Sequence, residues 1–101
     1  DPMLPAGEID LVFTANTYAF IRDRVGYFGK VRTALSAGGR LAILDFRPDA
    51  TLPGNIAPAP EYRIPRETAI AELERAGFTL EREETFLPHQ WFLILKLTPT
   101  K

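Results

Sequence analysis

Four consecutive apolar residues, Leu41-Ala42-Ile43-Leu44, lie between a glycine pair at 38–39 and Asp45-Phe46, and they constrain this chain more than any other stretch. A strand with one wet face alternates apolar and polar residues; an unbroken apolar run buries both faces and needs packing layers above and below. The neighbouring segments have to supply that cover. Ile9-Asp10-Leu11-Val12-Phe13-Thr14 is a second short run of strand formers. Between the two, Val25, Phe28, Val31 and Leu35 recur three and four residues apart and define one helical face. Asp23 is placed to cap the start of that helix, and Gly38 to end it in a left-handed turn. Strand, helix, strand over residues 9–46 is a βαβ unit with parallel strands and a right-handed crossover. It brings Asn16 and Asp45 together at the carboxyl edge of the sheet, where open α/β sheets bind ligands.

Residues 47–64 contain Pro48, Pro53, Pro58 and Pro60 and read as a long irregular loop, either a lid over a site or a solvated connector. Residues 48–60 are expected to exchange their amides rapidly. Pro65 suits the first turn of a second helix, Ile70, Leu73 and Ala76 give it a narrow apolar stripe, and Gly77 stops it. Phe78 to Phe86, charged through Glu81-Arg82-Glu83-Glu84, reads as an edge strand guarded by charge. After a turn at Leu87–Gln90, Trp91 to Leu97 is a buried strand, antiparallel to the one before it. The whole of residues 1–101 is therefore read as a single α/β domain.

Composition excludes more than it assigns. The formal net charge is −1, which gives no electrostatic footprint for nucleic acid or an anionic membrane. No apolar run is long enough to span a bilayer, and Asp1-Pro2-Met3-Leu4-Pro5 has no secretory pattern. The chain has no cysteine, which excludes disulfides and thiolate metal sites and fits a cytoplasmic protein. With one histidine, His89, in a predicted turn, no structural zinc set is available.

The ordered set of words resembles the carboxyl-terminal half of a class I S-adenosylmethionine-dependent methyltransferase of the type 11 kind. The matching residues are Leu4-Pro5 before Ile9–Phe13, then Asn16-Thr17-Tyr18, then the helix–Gly-Gly–strand–acid passage from Val31 to Phe46, then Ala76-Gly77-Phe78 and the final hairpin. The resemblance implies a partial Rossmann-like sheet, strands 4-5-7-6 of a seven-stranded fold, in three αβα layers with the last strand antiparallel. It implies S-adenosylmethionine as cofactor of the complete protein, with Leu4, Thr14, Ala15 and Asn16 on the cofactor side. Tyr18, Asp45 and Arg47 then fall on the side of an unknown methyl acceptor. Asp1 stands near the family's adenine-loop acid.

Two features depart from the family. The glycine-rich loop and the ribose-binding acid belong to the family's first half and have no counterpart here, and Ala19-Phe20 stands where many relatives carry histidine. The chain alone is accordingly expected not to hold the cofactor. Bland readings stand beside these: Asn16 satisfying a turn, Tyr18 as a core aromatic, Asp45 as a polar strand end, Arg47 as a solvated cation. The other function class is a non-enzymatic α/β module acting by association. In either case the strand at 9–14 lies on an open apolar edge, so self-association or pairing with a missing first half is expected.

Overall fold

The computed structural model describes residues 7–51, 59 and 62–99. Its elements are β1 (Ile9–Ala15), a 3-10 turn (Tyr18–Phe20), α1 (Arg24–Ala34), β2 (Leu35–Phe46), α2 (Arg66–Arg75), β3 (Phe78–Glu84) and β4 (Gln90–Leu97). The sheet order is β1-β2-β4-β3. β1 runs parallel to β2, and β4 is antiparallel to both β2 and β3. This is the expected 4-5-7-6 order.

The local signals act as chemistry requires. Asp23 caps α1, its carboxylate accepting from Gly26 N–H at 3.1 Å. Gly77 ends α2 at φ +102, and a side chain there would also collide with the aliphatic part of Arg32. The predicted end of α1 differs. The helix stops at Ala34 rather than Gly38, and Leu35 is already extended, with φ −78 and ψ 140. Leu35 is still buried, but as a strand residue paired with Ile9. Among the described residues only Gly7, Gly77 and Asn16 have positive φ, so the glycine pair forms no left-handed turn. Gly39 instead sits where a Cβ would press on the Ile9 carbonyl oxygen at 3.0 Å, beside the register shift between β1 and β2.

Both helices pack on one face of the sheet. Leu41 and Ile43 of β2 lie opposite Leu95 and Leu93 of β4 and meet Phe28 and Val31 of α1 and Ala69 and Leu73 of α2 in one core. The opposite face, carrying Leu11, Phe13, Ala42, Phe92 and Ile94, receives no helix from the described residues. The described residues thus form two layers; the third layer expected from the apolar run in β2 is not among them. Half of the loop expected to be irregular, residues 52–58 and 60–61, lies outside the described residues. Its first part is pinned, since the buried Arg63 guanidinium donates to the Arg47 and Ala50 carbonyls at 3.0 and 2.8 Å.

Candidate functional site

The parallel register pairs Ala15 with Leu44, so β1 ends beside Asp45, and Asn16 N–H donates to the Leu44 carbonyl at 2.9 Å. Asn16 turns the chain away from the sheet in the left-handed region, φ 62. Asparagine tolerates that region better than most residues. Its side-chain oxygen accepts from Gln90 Nε2, a residue at the start of β4. Asn16 and Gln90 thereby bridge over the end of β2, the strand that lies between theirs. Gln90 was not singled out from the sequence. Its place at this edge comes from the β2–β4 register, which pairs it with Phe46 and which spacing alone does not give.

The remaining candidates divide into two groups. Asp45 is 3% exposed and both carboxylate oxygens are occupied: one accepts from Ala19 N–H at 3.0 Å, the other from its neighbour Phe46 N–H at 2.8 Å. It anchors the 3-10 turn after β1. Tyr18, on that turn, is wholly buried, stacked on Phe28 and set edge-on to Trp91. Its hydroxyl donates to Glu72 at 2.8 Å, and Arg24 grips the same carboxylate through two nitrogens at 2.7 and 2.9 Å. Burial, and then the Glu72 carboxylate, push the Tyr18 phenol far above its ordinary range. The Arg24 hydrogen bonds, and to a lesser degree that of Tyr18, hold Glu72 below its ordinary value. Asp45 and Tyr18 therefore position the carboxyl edge from beneath. Thr14 faces the helix side opposite Ile43, and its Oγ1 is buried without a partner. Leu4 lies outside the described residues.

Arg47 belongs to a different space. A cleft of about 490 Å³ opens at the carboxyl edge between the segment after β2, the start of α2 and the turn before β4. Trp91, Leu87 and Pro65 form its apolar side, Arg47 and Glu83 line it too, and Gln90 joins it to Asn16. That volume falls in the range of small-molecule sites. Its cations are already engaged. Arg66 forks onto Glu83 at 2.8 and 2.6 Å, and Arg47 donates to the Pro88 carbonyl at 2.5 Å. Trp91 Nε1 donates to the Ile64 carbonyl at 2.8 Å, which fixes the indole. Among the described residues, no group of three or more His, Cys, Asp or Glu is placed to hold a metal ion. No helix among them is long and apolar enough to cross a membrane.

Comparison with solved structures places this arrangement. A Sulfolobus solfataricus protein assigned as a type 11 methyltransferase superposes on 98% of the chain with TM-score 0.83 and 22% identity, the match covering 56% of that protein. A SAM-dependent methyltransferase from Aquifex aeolicus matches over 94% of the chain at TM-score 0.84 and 20% identity, and over 49% of its own length. The methyltransferase CalH, solved with SAH, matches at TM-score 0.73 and 22% identity over 95% of this chain and 32% of its own. The chain has the fold of part of a SAM-dependent methyltransferase. It spans about half the length of the first two of these proteins. No protein-family model and no curated protein matches the sequence.

Asp45, the acid at the end of β2, is buried, and each of its oxygens already accepts from a backbone N–H. No step through the cofactor is derived from this chain alone.

Proposed function

We propose that residues 1–101 are the carboxyl-terminal half of an S-adenosylmethionine-dependent methyltransferase domain, acting in the cytoplasm on a small-molecule acceptor. The observation that carries this reading is the sheet order β1-β2-β4-β3, with the last strand antiparallel and inserted centrally, superposing on nearly the whole chain. In this reading Thr14, Ala15 and Asn16, with Leu4 before them, form the cofactor side. The cleft beside Arg47 takes the acceptor, and the Asn16–Gln90 bridge is the wall between them. Tyr18 and Asp45 set the height of that wall. The chemistry asks little more of the protein, because the sulfonium brings the reactive methyl group and the protein aligns donor and acceptor and excludes water. Completion of the fold by a first half, or association of the chain with itself, belongs to the same proposal.

Calorimetry with S-adenosylhomocysteine tests the division of labour. No measurable binding is expected from the 101-residue chain, whose one carboxylate beside Asn16, that of Asp45, already accepts from Ala19 and Phe46 N–H. Micromolar binding by this chain alone would overturn the placement of the cofactor loop outside it.

A further inference from the structure

The cleft at the carboxyl edge carries an uneven set of charges over an apolar floor. Trp91 is buried at its base, and the indole's single donor is engaged by the Ile64 carbonyl, so the ring offers the cleft carbon alone. Arg47 and Arg66 are the cations of the lining, and Asp49, Glu67, Glu83 and Glu84 are its carboxylates. Each of the cations already faces a carboxylate. Arg66 forks onto Glu83 and reaches Glu67 at 3.3 Å, while Arg47 donates to the Pro88 carbonyl and lies 3.5 Å from Asp49. Glu84 differs from the other three carboxylates. Its cation, Arg82, has a side chain 68% exposed and does not line the cleft, whereas Glu84 does line it and is 27% exposed. The start of α2 also borders this space, and a helix N-terminus favours anions. Glu67, in that first turn, supplies one from the chain itself.

We infer that this cleft selects a small molecule with an apolar body and a cationic group, such as an ammonium, and rejects carboxylates and phosphates. An anionic ligand would meet no cation of the lining that is not already paired with a carboxylate. To hold one, Arg66 would have to leave Glu83, or Arg47 would have to leave the Pro88 carbonyl. A cation enters the same surroundings without displacing anything. Glu84 faces it with its own partner outside the cleft, and the buried floor keeps water from one side, which strengthens the attraction relative to open solvent. The carbon surface of Trp91 takes the apolar body, in a space whose volume suits a small molecule. The inference rests on the methyltransferase reading for the role of the cleft as the acceptor site, and it names the class of acceptor which that reading leaves open. The charge selectivity follows from the lining itself.

Trp91 is the only tryptophan of the chain, so its indole N–H gives a single reporter signal in nitrogen–proton NMR spectra. The amides of Glu67 and Thr85 mark two sides of the cleft. Phenethylamine, phenethyl alcohol and hydrocinnamate share an apolar body and differ in charge. With the 101-residue chain at neutral pH and low salt, the amine should shift these signals and bind roughly tenfold tighter than the carboxylate, with the alcohol between them. The preference should shrink as salt is raised. Glu84→Gln should cut it about threefold, and since Arg82 is largely in solvent the fold should tolerate the change. Glu67→Gln, at the rim, is a second variant and should act in the same direction. Carboxylate binding as tight as that of the amine, or a preference unchanged in both variants, would overturn the inference. So would an amine that moves none of these signals at millimolar concentration. No cofactor enters the measurement. Loss of selectivity would therefore leave the methyltransferase reading intact. A selective cleft in a completed domain that does not consume S-adenosylmethionine would remove that reading and keep the cation site.

Discussion

Ile43 and Leu93 face each other across β2 and β4 beneath the helices and have no exposed surface, whereas on the other side of the same sheet Phe13 and Leu11 are more than half exposed. The residue types are nearly the same. What differs is whether the chain's own helices reach them. Tyr18, Arg24 and Glu72 tie the 3-10 turn, α1 and α2 into one cover over the first face, and no helix of the described residues covers the second. An apolar run in a strand therefore states that two covers are needed, without saying that one short chain provides both.

Substitutions on the two faces should separate sharply. Ile43→Ala, in the sealed core, is expected to cost roughly 2–5 kcal/mol in urea unfolding, because the removed methyls leave a cavity that helices and strands cannot fill. A cost below about 1 kcal/mol would mean that the sealed face is loosely packed.

The network that seals the cover should come next. Glu72→Gln removes the charge held by Arg24, at roughly 1.5–3 kcal/mol near neutral pH. The folded carboxyl titrates below its ordinary value of 4.5, so its contribution is full above that value and fades as pH falls through the folded pKa. The difference between wild type and Glu72→Gln should accordingly shrink on acidification below about pH 4.5 and be constant from there to neutrality. A gap that widens in acid would show that Arg24 does not set the titration.

On the open face, Phe13→Ser should change the stability of the isolated chain by no more than about 0.5 kcal/mol, since the ring is already half in water. A large loss in the isolated chain would show that Phe13 is itself part of a core. The smallest effect is expected at the guarded edge. Arg40 and Glu81 are solvent-exposed partners, and Arg40→Ala should leave the thermal midpoint unchanged within measurement error at physiological salt.

Features written in nearby residues were legible in the sequence. The Asp23 cap and the Gly77 stop depend on atoms within a few positions, and both stand where the sequence put them. The strand order came through the family resemblance, not through periodicity. The end of α1 was misread because Leu35 fits the helical stripe and the strand equally well, and pairing with Ile9 decides between them. At the site, Asn16 and Asp45 were brought together as expected. The engagement of Asp45 with Ala19, 26 residues away, and of Tyr18 with Glu72, 54 residues away, could not be read from spacing. The cleft beside Arg47 is assembled from three segments far apart in the sequence, so no one of them announces it.

The central place of β4 bears on how the sheet can be assembled in time. Leu41 waits for Leu95, and the edge strand β3 has no backbone partner in the described sheet except β4. During synthesis β1, α1 and β2 can associate early. β3 emerges with nowhere to pair until the residues from Gln90 onward follow it. Closing so distant a contact is slow relative to local helix formation. β4, made after the three strands it joins into one sheet, thus acts as the keystone: translation halted before Gln90 would strand β3 apart from β1–β2, leaving two fragments with no shared sheet.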